Sequence, residues 1–150
     1  MPRRPRSSSS PSSRRASTRP RRHCALLPAS IGRGATGAYA NPATRPAQRA
    51  AADRLLACNG VVEWVEDEAL IDAVTALSGS GPAYVFHLVE AMAVAGEAAG
   101  LEPGLAARLA RETVSGAGAL LAESELPAGR LRENVTSKGG TTAAALDVLM

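Results

Sequence analysis

The sequence predicts a mainly α fold, a helical bundle preceded by a short strand-helix-strand segment and a disordered N-terminal tail. Three observations carry that prediction. Residues 1–24 are Arg/Ser/Pro low complexity with almost nothing apolar to bury. Residues 28–65 alternate glycine- and valine-rich runs with one Ala/Leu-rich run, the pattern of an α/β unit whose beginning is missing. From Glu68 onward, apolar residues recur at helical spacing between Gly, Pro and Ser breaks. We therefore expect a tail over 1–24, an α/β segment over 25–66 and a helical domain over 67–150.

Charge separates the tail from the rest. Residues 1–23 hold eight arginines and no acid, and the first acid is Asp53. The other nine basic residues face 14 acids, so the net charge of +3 belongs to the tail and the remainder is acidic. Such a tail is open to three readings: an organelle presequence, without the usual apolar stripe; an arm binding nucleic-acid phosphates; or a misread or truncated start. The sequence joins recognisable pattern abruptly at Pro28, which favours the last. Cys24 and Cys58 are too few for a disulfide framework and lack zinc spacing, so reduced thiols in a cytoplasmic setting are expected, with no metal. His87, Glu90 and Glu97 interrupt the longest apolar run, so no membrane span is expected.

Taken in order, Gly32, Gly34 and Gly37 spell a literal G-x-G-x-x-G. A pyrophosphate loop needs a long helix directly after it, and Pro42 and Pro46 forbid one. A short strand over 36–40 is expected instead. Pro46 opens a helix that runs to Cys58, with Asn59 and Gly60 as its stop. The β-branched and aromatic run 61–65 is a strand. A helix over 68–78 places Leu70, Ile71, Val74 and Leu77 on one face. Ser80 and Pro82 start a helix over 83–99 that Gly100 ends; Pro103 opens another to about Ala122, and Pro127 a short one to Asn134. Small residues such as Ala95, Gly96, Ala106, Ala110, Gly116 and Gly118 suit close helix packing, within one chain or between two, although an alanine-biased genome also accounts for the alanines.

The last motif, Val135-Thr136-Ser137-Lys138-Gly139-Gly140-Thr141-Thr142, runs into an Ala/Leu helix. Paired glycines make a tight turn at a helix N-terminus, where free N–H groups and the hydroxyls of Ser137, Thr141 and Thr142 could hold a carboxylate or phosphate. The same residues also serve as an N-capping cluster with no ligand. No Ser/His/Asp or Cys/His set accompanies them, and His87 reads as packing.

Two stretches resemble the substrate and dimerisation domain of pyrroline-5-carboxylate reductases: Asp72-Ala73-Val74-Thr75-Ala76-Leu77-Ser78-Gly79-Ser80-Gly81-Pro82-Ala83-Tyr84-Val85-Phe86, and Val135 through Leu146. Glu112-Thr113-Val114 and Leu131-Arg132-Glu133-Asn134 fit the same pattern, and the resemblance covers residues 28–149. It implies reduction of 1-pyrroline-5-carboxylate to proline, with hydride from NADPH or NADH and no metal. It further implies that Ser137, Thr141 and Thr142 hold the substrate carboxylate and that Val135 and Gly140 also bind the substrate. Thr142 would lie nearest the ring nitrogen as the catalytic hydroxyl, Glu68 would border the substrate, and Asn134 would touch the nicotinamide. The resemblance makes 25–66 the end of a dinucleotide-binding domain whose first part is missing, and the helices a dimer-forming bundle, cut short at Met150. Lys138 stands where many members have proline. A fragment of this kind is expected to be inactive alone and to form homo-oligomers built from dimers. The competing reading is a non-enzymatic oligomerisation module with a nucleic-acid-binding arginine tail; the resemblance disfavours it.

Overall fold

The computed structural model describes residues 21–24 and 26–149. The chain forms two compact units that meet in sequence between Pro82 and Ala83.

The first unit is built on a three-stranded sheet in the order β1-β2-β3, with β1 Arg21–Cys24, β2 Gly34–Tyr39 and β3 Gly60–Val65. A short helix, α1 (Leu26–Ala29), separates β1 from β2. β1 runs antiparallel to β2, pairing Arg21 with Tyr39 and Cys24 with Thr36, whereas β2 and β3 are parallel from Gly34–Gly60 to Tyr39–Val65. A parallel pair needs a crossover, and α2 (Pro46–Ala57) supplies it. The expectation of strand, helix and strand therefore holds over these residues. The expected tail ran through Cys24, and here the structure differs: 21–24 form a strand because β2 offers them a free edge of backbone donors and acceptors. Residues 1–20, the rest of that tail, lie outside the described residues.

β2 is largely enclosed, with Ala38 fully buried and Thr36 nearly so. α2 starts as its sequence dictates. Pro46 needs no N–H in the first turn, and Gln48 Oε1 accepts the Arg45 amide at 2.9 Å. Trp64 on β3 then straps the helix to the sheet: its indole N–H donates to Asp53 Oδ1 at 3.0 Å, while the Arg49 guanidinium sits 4.6 Å above its ring.

The helix expected over 68–78 takes a different form. α3 covers only Leu70–Val74 and passes into a π-helical turn, Thr75–Gly79, closed by the Ser80 amide on the Thr75 carbonyl at 2.9 Å. Thr75 and Ser78 hydroxyls donate back to the carbonyls of Ile71 and Val74, at 2.9 and 3.0 Å, and so compete with the helical ladder. One extra residue in the turn rotates the side chains beyond it. Ile71 stays buried, but Leu77, expected on the same face, is 80% exposed.

The second unit is helical: α4 Gly81–Ala98 (whose first two residues fall in the first unit), α5 Pro103–Glu123, α6 Ala128–Asn134 and α7 Thr141–Leu149. Gly100, at φ +99, ends α4, and the Leu101 amide reaches back to the Gly96 carbonyl at 3.0 Å. Glu102 caps α5, its carboxylate accepting the amides of Gly104 and Leu105 at 2.9 and 2.7 Å. Gly96 lets the two helices close on each other, since a Cβ there would stand 3.2 Å from Ala106 Cβ. Ala106 and Ala110 are the buried hydrophobic residues of this unit, while Tyr84, Phe86, Val94 and Val148 are more than half exposed. Among the described residues no helix is long and apolar enough to cross a membrane.

Candidate functional site

The turn between α6 and α7 is built as its residue types require. α6 ends at Asn134, and the Val135 and Thr136 amides fold back onto the carbonyls of Arg132 and Glu133 at 3.3 and 3.0 Å. Thr136 Oγ1 donates to the Arg132 carbonyl at 2.7 Å, which fixes the exit direction of the chain. Ser137, Lys138, Gly139 and Gly140 form a turn closed by the Gly140 amide on the Ser137 carbonyl at 3.1 Å. Gly139 takes φ +72, the sign that the third position of a type II turn demands and that glycine meets without strain.

Gly140 has a second reason to be glycine. A Cβ there would collide with Ser137 Oγ. The Gly140 carbonyl accepts the Ala144 amide at 3.2 Å, so Gly140 occupies the capping position of α7 and Thr141 and Thr142 are its first helical residues. The leading amides of α7 have no acceptor within the helix, and the helix dipole adds partial positive charge at the same end. Ser137, Thr141 and Thr142 are exposed there, with Gly140 half-buried between them.

The structure thus brings Asn134, Val135, Ser137, Gly140, Thr141 and Thr142 into one short connection. Glu68 belongs to the first unit. It does not lie inside a helix as expected but in the turn before α3, where Asp67 Oδ1 accepts the Ala69 amide at 2.9 Å. Beside the connection, Arg132, Glu133, Thr136, Ala143, Leu146 and Asp147 line a cleft of about 220 Å³ between α6 and α7. Sequence reasoning singled out none of these as cleft-lining. The signal was available in the i, i+3, i+4 spacing of Ala143, Leu146 and Asp147.

The glycines at 32, 34 and 37 have structural explanations in place of a phosphate-binding one. Gly32 takes φ +70 in the turn before β2, a Cβ on Gly34 would stand 2.7 Å from the Asn59 carbonyl oxygen, and one on Gly37 would run into Val74. Gly34 and Gly37 lie within the strand, and the following helix does not begin until Pro46. These residues do not fit a pyrophosphate cradle. Among the described residues, no group of three or more His, Cys, Asp and Glu side chains could hold a metal ion.

The chain resembles known proteins over most of its length. The family model for pyrroline-5-carboxylate reductase dimerisation matches residues 68–150. The pyrroline-5-carboxylate reductase of Pseudomonas aeruginosa is 49% identical over 119 residues, 79% of this chain and 44% of that protein; the Synechocystis enzyme is 44% identical over 122 residues, 81% and 45%. Among solved structures, a pyrroline-5-carboxylate reductase from Coxiella burnetii superimposes with a TM-score of 0.79 at 41% identity, covering 87% of this chain and 48% of that one. The Plasmodium falciparum pyrroline carboxylate reductase with NADP bound gives 0.70 at 30% identity, covering 81% and 49%. The chain spans about half the length of these relatives. By the match over 68–150, it belongs to the pyrroline-5-carboxylate reductase dimerisation family.

Proposed function

We propose that this chain supplies the self-associating, carboxylate-holding part of a reductase that converts 1-pyrroline-5-carboxylate to proline. The observation that carries the reading is the Ser137–Thr142 turn, with its exposed hydroxyls and unspent helix amides, set inside the family's matched span. A small imino acid presents one carboxylate and one ring nitrogen. The amides of Thr141 and Thr142 and the Ser137 hydroxyl would take the carboxylate, with Val135 and Gly140 shaping its seat. Thr142 Oγ1 would be the hydroxyl nearest the ring nitrogen.

When bound, NADPH or NADH supplies the hydride to the C=N carbon. Asn134, at the end of α6, is the residue here assigned to the nicotinamide end, and Glu68 to the border of the substrate. Holding a planar imine in one orientation is what this chain's residues contribute, which is why no nucleophile is needed.

Self-association follows from α4. Its polar side chains are Tyr84, His87, Glu90 and Glu97, and no residue of this 18-residue helix is buried within the chain. A helix this largely apolar and this little covered by its own chain requires cover, and a second copy of a family that dimerises provides it. The exposed hydrophobic surface and the reductase family both favour this over a nucleic-acid-binding module.

The test is a chimera in which residues 28–149 replace the matching segment of the Pseudomonas aeruginosa reductase. It should reduce 1-pyrroline-5-carboxylate, and Thr142→Val within it should lower kcat/KM by the equivalent of about 1.5–3 kcal/mol, one hydrogen bond to a charged group. A dimeric, folded chimera without activity overturns the reading; an active one indifferent to Thr142→Val removes that hydroxyl from the site.

A further inference from the structure

We propose that Glu90 and Arg111 set the register of the self-association, with Glu90 of each copy pairing with the partner's Arg111. The inference rests on the self-association reading above and names the residues that fix its geometry.

α4 and α5 leave between them a groove of about 510 Å³, open to solvent. Its walls are mostly apolar: Val85, Phe86 and Val89 on α4, Val114 and Gly118 on α5. Two formal charges interrupt them, one on each wall. Glu90 stands on α4 and Arg111 on α5.

These charges do not satisfy each other within the chain. Glu90 Oε2 lies 3.3 Å from His87 Nδ1, a contact that is an ion pair only when the imidazole is protonated, and both side chains are at least three-quarters exposed. Arg111 pairs with no carboxylate among the described residues. In water neither charge needs a partner. A second copy that covers the groove strips water from both, and an unpaired charge in such a seam is strongly unfavourable.

Two-fold symmetry then restricts the solution. Every contact in a closed dimer occurs twice with the roles exchanged. Registers that set Glu90 against the partner's Glu90, or Arg111 against the partner's Arg111, bury like charges. Glu90 against the partner's Arg111 satisfies four charges with one geometric relation. The apolar walls supply the drive to associate, and the two charges discriminate among the ways of sliding one apolar surface over another.

The experiment uses the full chain and reads the dimer dissociation constant by sedimentation equilibrium at low salt, with circular dichroism as a folding check. Glu90→Arg and Arg111→Glu, each alone, should weaken the dimer on the order of 100-fold, because each places like charges opposite one another twice. An equimolar mixture of the two variants should restore association, since the heterodimer sets opposite charges against each other again at both places along the seam.

Should a reversed chain fail the folding check, Glu90→Gln and Arg111→Gln remain, each expected to weaken the dimer roughly 10-fold. Single variants or neutral variants that dimerise like the parent overturn the proposal. So does a mixture that stays monomeric while the double variant in one chain dimerises, which would put the pair within one copy. A parent chain that is itself monomeric refutes the underlying self-association reading and is distinguished by that control alone.

Discussion

The glycines of the two units serve opposite ends. On the strands of the first unit Gly34, Gly37 and Gly60 are enclosed by their own chain: a Cβ on Gly34 would meet the Asn59 carbonyl oxygen, one on Gly60 the Gly34 backbone, and one on Gly37 Val74. On α5 of the second unit, Gly116 and Gly118 have nothing within 4 Å of where a Cβ would be. An interior helical glycine costs about 1 kcal/mol relative to alanine. Where the chain itself offers no close approach in return, the return comes from outside it. The strands of the first unit therefore carry the marks of a surface already packed, and the stretch of α5 around Gly116 and Gly118 those of a surface kept clear for a partner.

The sharpest way to break that contrast is at Gly60. It takes φ +133, and an added Cβ would collide with the Gly34 backbone at the first rung of the parallel β2–β3 pair. Gly60→Ala should destabilise the first unit by about 3 kcal/mol, from strain at a glycine-only conformation plus loss of the rung. Urea unfolding followed by Trp64 fluorescence measures this, since Trp64 lies on β3. A loss below about 1 kcal/mol would show that the close approach is readily relaxed.

Gly118→Ala tests the other side with an effect of opposite sign in the two states. Within one chain the new methyl group meets nothing, so the helix should gain about 1 kcal/mol. The same methyl projects into the groove assigned to the second copy, so association should weaken. Thermal unfolding over roughly a 100-fold range of protein concentration separates the two, because only the dimer contribution depends on concentration. A gain at every concentration would mean that no helix approaches Gly118.

In both units, what could be read from the residues was what local signals specify. α2 was legible from Pro46, Asn59 and Gly60 because its signals are local, and the turn at 137–140 because paired glycines admit few alternatives. The π-helical turn was not legible. Thr75 and Ser78 look like ordinary mid-helix residues until their hydroxyls are seen bonding back to Ile71 and Val74. β1 was missed because Arg21, Arg22 and His23 have no apolar alternation; what holds them is the edge of β2, a partner that the strand's own residues do not advertise. The apolar periodicity of α4 correctly marked a helix, yet it could not tell a face buried in the chain from one left exposed.

The smallest effect concerns the candidate site, and its sign carries information. Lys138 occupies the second position of the Ser137–Gly140 turn, the place where a type II turn accepts proline most readily, and its φ is not positive. Lys138→Pro should stabilise the chain by about 0.4–1 kcal/mol, by narrowing the conformations open to the unfolded state. Proline also lacks an amide hydrogen. If the carboxylate is held by the amides of Thr141 and Thr142, as proposed, the variant chimera should keep the KM of its parent; if the Lys138 amide belongs to the anion seat, KM should rise by the equivalent of about 1 kcal/mol or more while the stability gain persists. Measuring both quantities on the same protein separates a residue that shapes the turn from one that donates to the ligand.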